Sequence, residues 1–266
     1  MKRSFLPLLV AGLVWAVSAD GLRAQSEFQD FGSPMWAGAG LADVTACVGR
    51  TASLDARGRA SVSVRQLYGL SDLRPVHARA DVQWTRTVWV SIGLSALSLE
   101  GYRRHAASAG LARCIGAGLV ETTLRVAVAR AGEASARHAA AASVRIRYPI
   151  SRRLYLAASI DPVMAAGSAR EAGMESRITI GMVWQATPDV RLVADRMHRS
   201  PDAPAMAVGL AWRPHPSFEM RLGGSTQPVL RAVGILVHRS ALVFGLLASH
   251  HDPLGWTTGI GVEWSW

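Results

Sequence analysis

Lysine is nearly missing from this chain: Lys2 is the only one, so 28 of the 29 basic residues are arginine. The basic residues also stand singly rather than in the contiguous patches that phosphate contacts favour, so nucleic acid is not an expected partner. Cysteine is almost as scarce. Cys47 and Cys114 are the only two, and neither their spacing nor their context establishes a disulfide; Cys47 is also too far from the start for lipidation. Carboxylates are few, 19 Asp and Glu against 29 basic residues, for a formal charge of +10. Long apolar runs are missing too. Beyond the first 24 residues nothing approaches the roughly 20 apolar residues that a membrane helix needs. Yet half the chain is hydrophobic and its mean hydropathy is positive, +0.18.

The N-terminus supplies the compartment. Lys2 and Arg3 precede an apolar stretch from Phe5 to Ala19, and small residues offer cleavage after Ala19 or Ala24. Residues 1–24 therefore read as a secretory signal and not as part of the fold. It takes Lys2, Arg3 and Arg23 with it against Asp20, leaving about +8. A secreted, apolar chain without spanning helices is expected to be an outer-membrane β-barrel.

The last residues show what such a wall needs. Trp256, Thr258, Ile260, Val262, Trp264 and Trp266 form one face of a period-two pattern, against Thr257, Gly259, Gly261, Glu263 and Ser265. The pattern recurs upstream. Ala78, Ala80, Val82 and Trp84 alternate with His77, Arg79, Asp81 and Gln83; Ile178, Ile180, Met182 and Trp184 alternate with Arg177, Thr179 and Gly181. Fourteen strands are expected: 59–68, 76–85, 87–98, 103–114, 119–130, 140–149, 153–161, 175–186, 189–198, 204–213, 217–226, 229–238, 241–250 and 255–266. Each has the length a tilted strand needs to cross a bilayer. The fourth is the least patterned, since Ala106 to Ala112 is nearly featureless; losing it with a neighbour would leave twelve.

Turn lengths give a separate check. With an even count and the C-terminus in the periplasm, every second connection must be a short turn. Counting back, these fall at Arg239–Ser240, Pro214–Pro216, Thr187–Pro188, Ile150–Arg152, Ile115–Gly118 and Arg86, all short. The longest connections, Pro162–Met174, Ala131–Ala139 and Arg199–Ala203, fall in the other set. Trp84, Trp184, Trp212, Trp264 and Trp266 sit near the short-turn ends, where an interfacial aromatic girdle belongs.

The expected fold is all-β: a closed antiparallel transmembrane barrel over 59–266, preceded by a segment, 25–58, rich in Gly and Ala and without sustained period. That segment is read as a plug in the lumen, with a periplasmic tail as the alternative, because fourteen strands enclose a space that needs filling.

Three stretches carry a resemblance. Gly32-Ser-Pro-Met-Trp-Ala-Gly-Ala-Gly-Leu-Ala-Asp43 is similar to the opening segment of the FadL-like and PorV-like outer-membrane barrels. Tyr68-Gly-Leu-Ser-Asp-Leu-Arg74 resembles their first hairpin tip, and Ser249-His-His-Asp-Pro-Leu-Gly-Trp256 their last extracellular loop. The chain departs from the family where an Asn-Pro-Ala element is usual and Gly49-Arg50-Thr51-Ala52 stands instead. The resemblance implies passive passage of a small, hydrophobic solute. Its PorV-like side implies instead an anchor or shuttle for exported proteins.

Catalytic chemistry is not expected. His250, His251 and Asp252 are the one compact group of ligand-type residues, but adjacent strand residues face opposite ways and cannot easily share a metal. His77 and Asp81 share a strand face without a serine motif beside them. No cofactor is expected. The polar faces place Arg65, Arg79, Asp81, Arg145, Arg147, Arg177, Arg191, Asp195, Glu219, Arg221, Arg231 and Glu263 toward the lumen. Such a lumen either favours anions or is filled by ion pairs across it; the arginine excess leans toward anions. The expected partners are outer-membrane lipid, a small solute or an exported protein, and the barrel-assembly machinery through Trp266.

Overall fold

The computed structural model describes residues 57–70, 74–131, 135–167, 176–199, 204–226, 229–252 and 254–266. The signal sequence, nearly all of the 25–58 segment and Cys47 lie outside the described residues. What is described is one closed sheet of fourteen antiparallel strands: β1 Gly58–Gln66, β2 Val76–Thr85, β3 Val88–Leu99, β4 Tyr102–Ile115, β5 Gly118–Ala131, β6 Arg137–Pro149, β7 Leu154–Gly167, β8 Arg177–Thr187, β9 Val190–Arg199, β10 Ala205–His215, β11 Phe218–Thr226, β12 Val229–Arg239, β13 Leu242–His251 and β14 Gly255–Ser265. Each strand pairs with its sequence neighbours, and β1 closes on β14 from Arg59 opposite Ser265 to Gln66 opposite Thr258. Closure leaves no unpaired edge, the condition a β structure must meet in hydrocarbon. Among the described residues no helix is long and apolar enough to cross a membrane.

The outside of the barrel is where the apolar residues are. Ile92 and Ile260 are each 62% exposed, Leu94 64% and Leu246 59%, and all sit on the outward face in the middle of their strands. In water this continuous aliphatic girdle would be an aggregation surface; against lipid it is the expected one. Short turns of two to four residues, such as 86–87, 116–117 and 240–241, lie at the end that also holds the start of β1 and the end of β14. The longest connections, 67–75 and 168–176, lie at the other end. Trp84, Trp184, Trp212, Trp264 and Trp266 are outward and exposed near the turn end, while Trp256 stands at the loop end.

One element departs from the sequence expectation. β7 does not stop at Asp161: it runs on to Gly167 through a register shift in which the span from Ile160 to Met164 faces only Ala142 to Val144 of β6. Pro162 reads as a terminator in sequence, but a bulge accommodates a residue that has no N–H to donate. The featureless β4 is a full strand, paired on both sides from Tyr102 to Ile115. Its inward residues, Ala106, Ser108, Gly110 and Ala112, are small for a reason that the interior makes plain.

At the loop end the β1–β2 connection folds inward. A 3-10 turn, Leu67–Gly69, buries Leu67 against Leu97, with Tyr68 and Tyr102 packed beside them. The Tyr68 backbone N–H donates to Thr257 Oγ1 at 3.2 Å, and its ring meets His251 edge-on with 5.8 Å between centroids.

Candidate functional site

The interior is the candidate site. Fourteen strands at ordinary spacing and tilt enclose a backbone ring roughly 28 Å across, wide enough to hold long side chains from facing walls. Residue parity decides which side chains enter. On β5, Val120, Thr122, Leu124, Val126 and Val128 face out, so Glu121, Thr123 and Arg125 face in.

Ion pairs organise one part of this interior. On β2 the Arg79 guanidinium lies 3.0 Å from Asp81 and reaches across two strands to Glu121 on β5, at 3.2 Å. The reach requires low walls in between, and β3 and β4 supply Ser91, Gly93, Ser108 and Gly110. A Cβ on Gly93 would lie 2.6 Å from Ser108 Oγ. This explains the pale composition of β4. Farther round, Arg125 on β5 pairs with Asp161 on β7 at 3.4 Å, and Arg177 on β8 lies 3.9 Å from the same oxygen. Arg145 on β6 is the register partner of Glu121, and the Arg147 guanidinium stacks over the Tyr155 ring at 5.1 Å.

A second group surrounds Glu219 on β11. Arg221 donates to its carboxylate at 2.5 Å, Arg191 from β9 approaches to 3.5 Å, and His238 from β12 to 3.9 Å. At the seam Arg59 on β1 pairs with Glu263 on β14 at 3.0 Å. Arg79–Glu121, Arg125–Asp161 and Arg191–Glu219 join separate strands by charge-assisted hydrogen bonds, which are about twice as strong as neutral ones.

The pairing does not balance the charge. Among the described residues the inward faces of the strands carry twelve arginines, Arg59, Arg65, Arg79, Arg104, Arg125, Arg137, Arg145, Arg147, Arg177, Arg191, Arg213 and Arg221. They face six carboxylates, Asp81, Glu121, Asp161, Asp195, Glu219 and Glu263. A recess of about 50 Å³ opens in the inner wall against β2–β6. Its lining includes His77, Arg79, Arg104, Arg125 and Arg145, the hydroxyls of Ser95, Ser108, Thr123 and Ser143, and no carboxylate.

Of the residues placed in the lumen from sequence, Arg65, Arg79, Asp81, Arg145, Arg147, Arg177, Arg191, Asp195, Glu219, Arg221 and Glu263 lie on the inward face. Arg231 does not. It faces outward and is exposed, opposite Gly224 on β11 and His250 on β13. Leu230 to Leu236 is apolar at both parities, so sequence contrast could not fix its phase; the buried Leu236 and Gly234 occupy the inside instead. His250 and His251 do diverge: His250 stacks outside on Trp256 at 5.1 Å, and His251 is buried within.

Sequence reading missed Glu121, Arg125, Asp161, Arg104, Arg59 and Arg137. The first two were available from the clean alternation of β5. Asp161 was hidden by Pro162, and Arg104 by its place in the run Arg103-Arg104-His105, where neither parity contrasts with the other.

No protein-family model matches the chain, and no curated protein matches it by sequence. Solved structures do. The outer membrane protein Omp33 of Acinetobacter baumannii superposes with a TM-score of 0.53 at 6% identity, over 79% of this chain and 98% of that one. The KdgM porin superposes with a TM-score of 0.46 at 8% identity, over 78% of this chain and 99% of that one. A mutant of the Rh. blastica porin gives 0.46 at 6% identity, over 79% and 98%. At these identities the likeness is one of fold: the chain is built as outer-membrane barrels are built.

Proposed function

We propose that the protein is an outer-membrane channel for small solutes and that its passage favours anions. One observation carries the reading: twelve inward arginines against six carboxylates, four of those arginines lining one recess in the wall. A water-filled passage lined in this way has a positive potential, which concentrates anions and repels cations. The aliphatic girdle outside accounts for the bilayer, and the ion-paired interior for the water. The hydrophobic cargo implied by the FadL-like resemblance has less support, because desolvated arginines are poor company for an alkyl chain.

In this reading residues 25–56 occupy part of the lumen and narrow it. The small inward side chains of β10–β14 leave room for such a segment. The test is reconstitution in planar bilayers under a salt gradient. The expected result is ion conductance with a reversal potential on the anion side, and higher conductance once the segment is removed. A folded barrel that leaves the bilayer silent in both forms would sink the channel. Recovery with a stoichiometric exported protein would instead favour the PorV-like anchor.

A further inference from the structure

The outer face of the barrel is not only apolar; it is one-signed. Among the described residues all six strand carboxylates turn inward, so no Asp or Glu projects from any strand toward lipid. Basic groups do project, and they gather near the loop end. Arg103 is the second residue of β4, Arg130 the last but one of β5, Arg196 the fourth from the end of β9 and Arg231 the third of β12.

The densest place is the outer face of β3–β5. Arg103 and Arg130 are direct register partners on the same face, and Ser98 of β3 is the partner of Arg103 on its other side. Like charges set directly opposite across a strand pair destabilise it unless an anion sits between them. Neither arginine makes an ion pair with a described carboxylate, Glu100 in the adjoining turn included. The pair stands at interfacial depth. At the same end Trp256, 58% exposed, is the register partner of His250, which in turn partners Arg231, and tryptophan marks the boundary between hydrocarbon and headgroups. Toward the barrel middle from Arg130 the same face of β5 continues as Val128, Val126 and Leu124, exposed at 38%, 48% and 56%. A polar clamp thus sits directly above a surface for acyl chains.

We propose that Arg103 and Arg130 form a clamp for the phosphate of a membrane lipid in the leaflet at the loop end. Two planar guanidinium forks match the oxygens of one phosphate, and snorkelling carries them to the headgroup level. The aliphatic track below them selects a lipid over a free anion. The site is independent of the channel reading and needs only that the barrel stand in a bilayer.

The probe is phosphatidic acid, titrated into the full-length barrel in non-ionic detergent and read by native mass spectrometry. Diacylglycerol with the same chains and inorganic phosphate serve as the comparisons. The wild-type barrel should retain phosphatidic acid in preference to diacylglycerol, and inorganic phosphate should not displace it. Arg103→Gln with Arg130→Gln should weaken retention roughly a hundredfold, each lost charged hydrogen bond contributing about tenfold. Arg113→Gln with Arg239→Gln, at the turn end, should leave it unchanged. Where the glutamine pair fails to fold, Arg103→Lys with Arg130→Lys keeps the charge and should retain the lipid at a reduced level. Equal retention of phosphatidic acid and diacylglycerol by the wild type overturns the proposal, as does full displacement by inorganic phosphate. So does a glutamine pair that changes only the oligomeric mass, which would make this face a contact between copies. A silent barrel that still holds phosphatidic acid leaves the clamp standing; a conducting barrel that does not hold it sinks the clamp alone.

Discussion

The two arcs of the wall differ inside and agree outside. From β2 to β8 the inner surface carries long charged side chains, among them Arg79, Glu121, Arg125, Arg145, Asp161 and Arg177. From β10 to β14 it is richer in small residues, Ala205, Ala207, Gly209, Ala211, Gly223, Ala232, Gly234, Gly245, Gly259 and Gly261, with charge gathered around Glu219 and at Glu263. Outside, Ile92 and Leu94 on one arc and Leu246 and Ile260 on the other are alike in kind and exposure. The outer face answers to one solvent, hydrocarbon, and is uniform for that reason. The inner face answers to what it holds, and its two sides differ in how much charge and how much room they supply.

The largest break in this contrast should come from the charged arc. Asp161→Asn removes the carboxylate that Arg125 approaches to 3.4 Å and Arg177 to 3.9 Å. Arg177 is only 3% exposed, so losing the buried negative charge beside it costs about 3 kcal/mol of stability. Urea unfolding in lipid vesicles measures it. Ala232→Ser on the small arc should cost less than about 1 kcal/mol, because a lone hydroxyl is cheaply accommodated. Equal losses at the two sites would erase the distinction.

The shared exterior has its own test. Ile92→Arg and Ile260→Arg put a charge on the lipid face of opposite arcs, and each should cost about 2–4 kcal/mol, as such substitutions do near the bilayer midplane. The two values should agree within about 1 kcal/mol. A negligible loss at either position would mean that its arc does not face hydrocarbon.

Smaller in energy but closer to function is the effect on ion preference. Arg125→Gln with Arg145→Gln takes two charges from the recess without adding any. The anion-over-cation permeability ratio should fall roughly twofold or more, read as a shift of reversal potential under a salt gradient. Arg196→Gln removes the same charge from the outer face of β9 and should leave that potential where it was.

The contrast between faces also explains what was readable. Wherever an outward aliphatic series met an inward polar one, as in β2, β8 and β14, period two fixed both the strand and its phase. The alternation of short turns with longer loops then fixed the even count. Phase was lost where the two faces carried similar residues. Apart from Arg231 itself, Leu230 to Leu236 is apolar on both faces, which put Arg231 on the wrong side, and Arg103-Arg104-His105 is basic throughout, which hid Arg104. The ion pairs themselves were out of reach. Arg79 and Glu121 are separated by two whole strands, and only closure of the sheet with small residues between them brings 3.2 Å within reach.

The two arcs meet at the β1–β14 seam, and the smallest predicted effect lies there. Gly58 and Trp266 exchange backbone hydrogen bonds of 3.0 Å in both directions, and the Trp266 indole lies over the glycine where a Cβ would stand. Trp264 packs on that indole with 4.9 Å between centroids. Gly58→Ala leaves the backbone pair intact and only forces the ring to swing aside, so the loss should be about 0.5–1 kcal/mol, the worth of one cross-strand side-chain pair. Trp266→Ala removes the other half of the same contact. Because both changes break one interaction, their effects on the unfolding midpoint should fall short of additive when combined. Full additivity would mean that the ring does not close over Gly58, and that the charged and small arcs are joined by backbone hydrogen bonds alone.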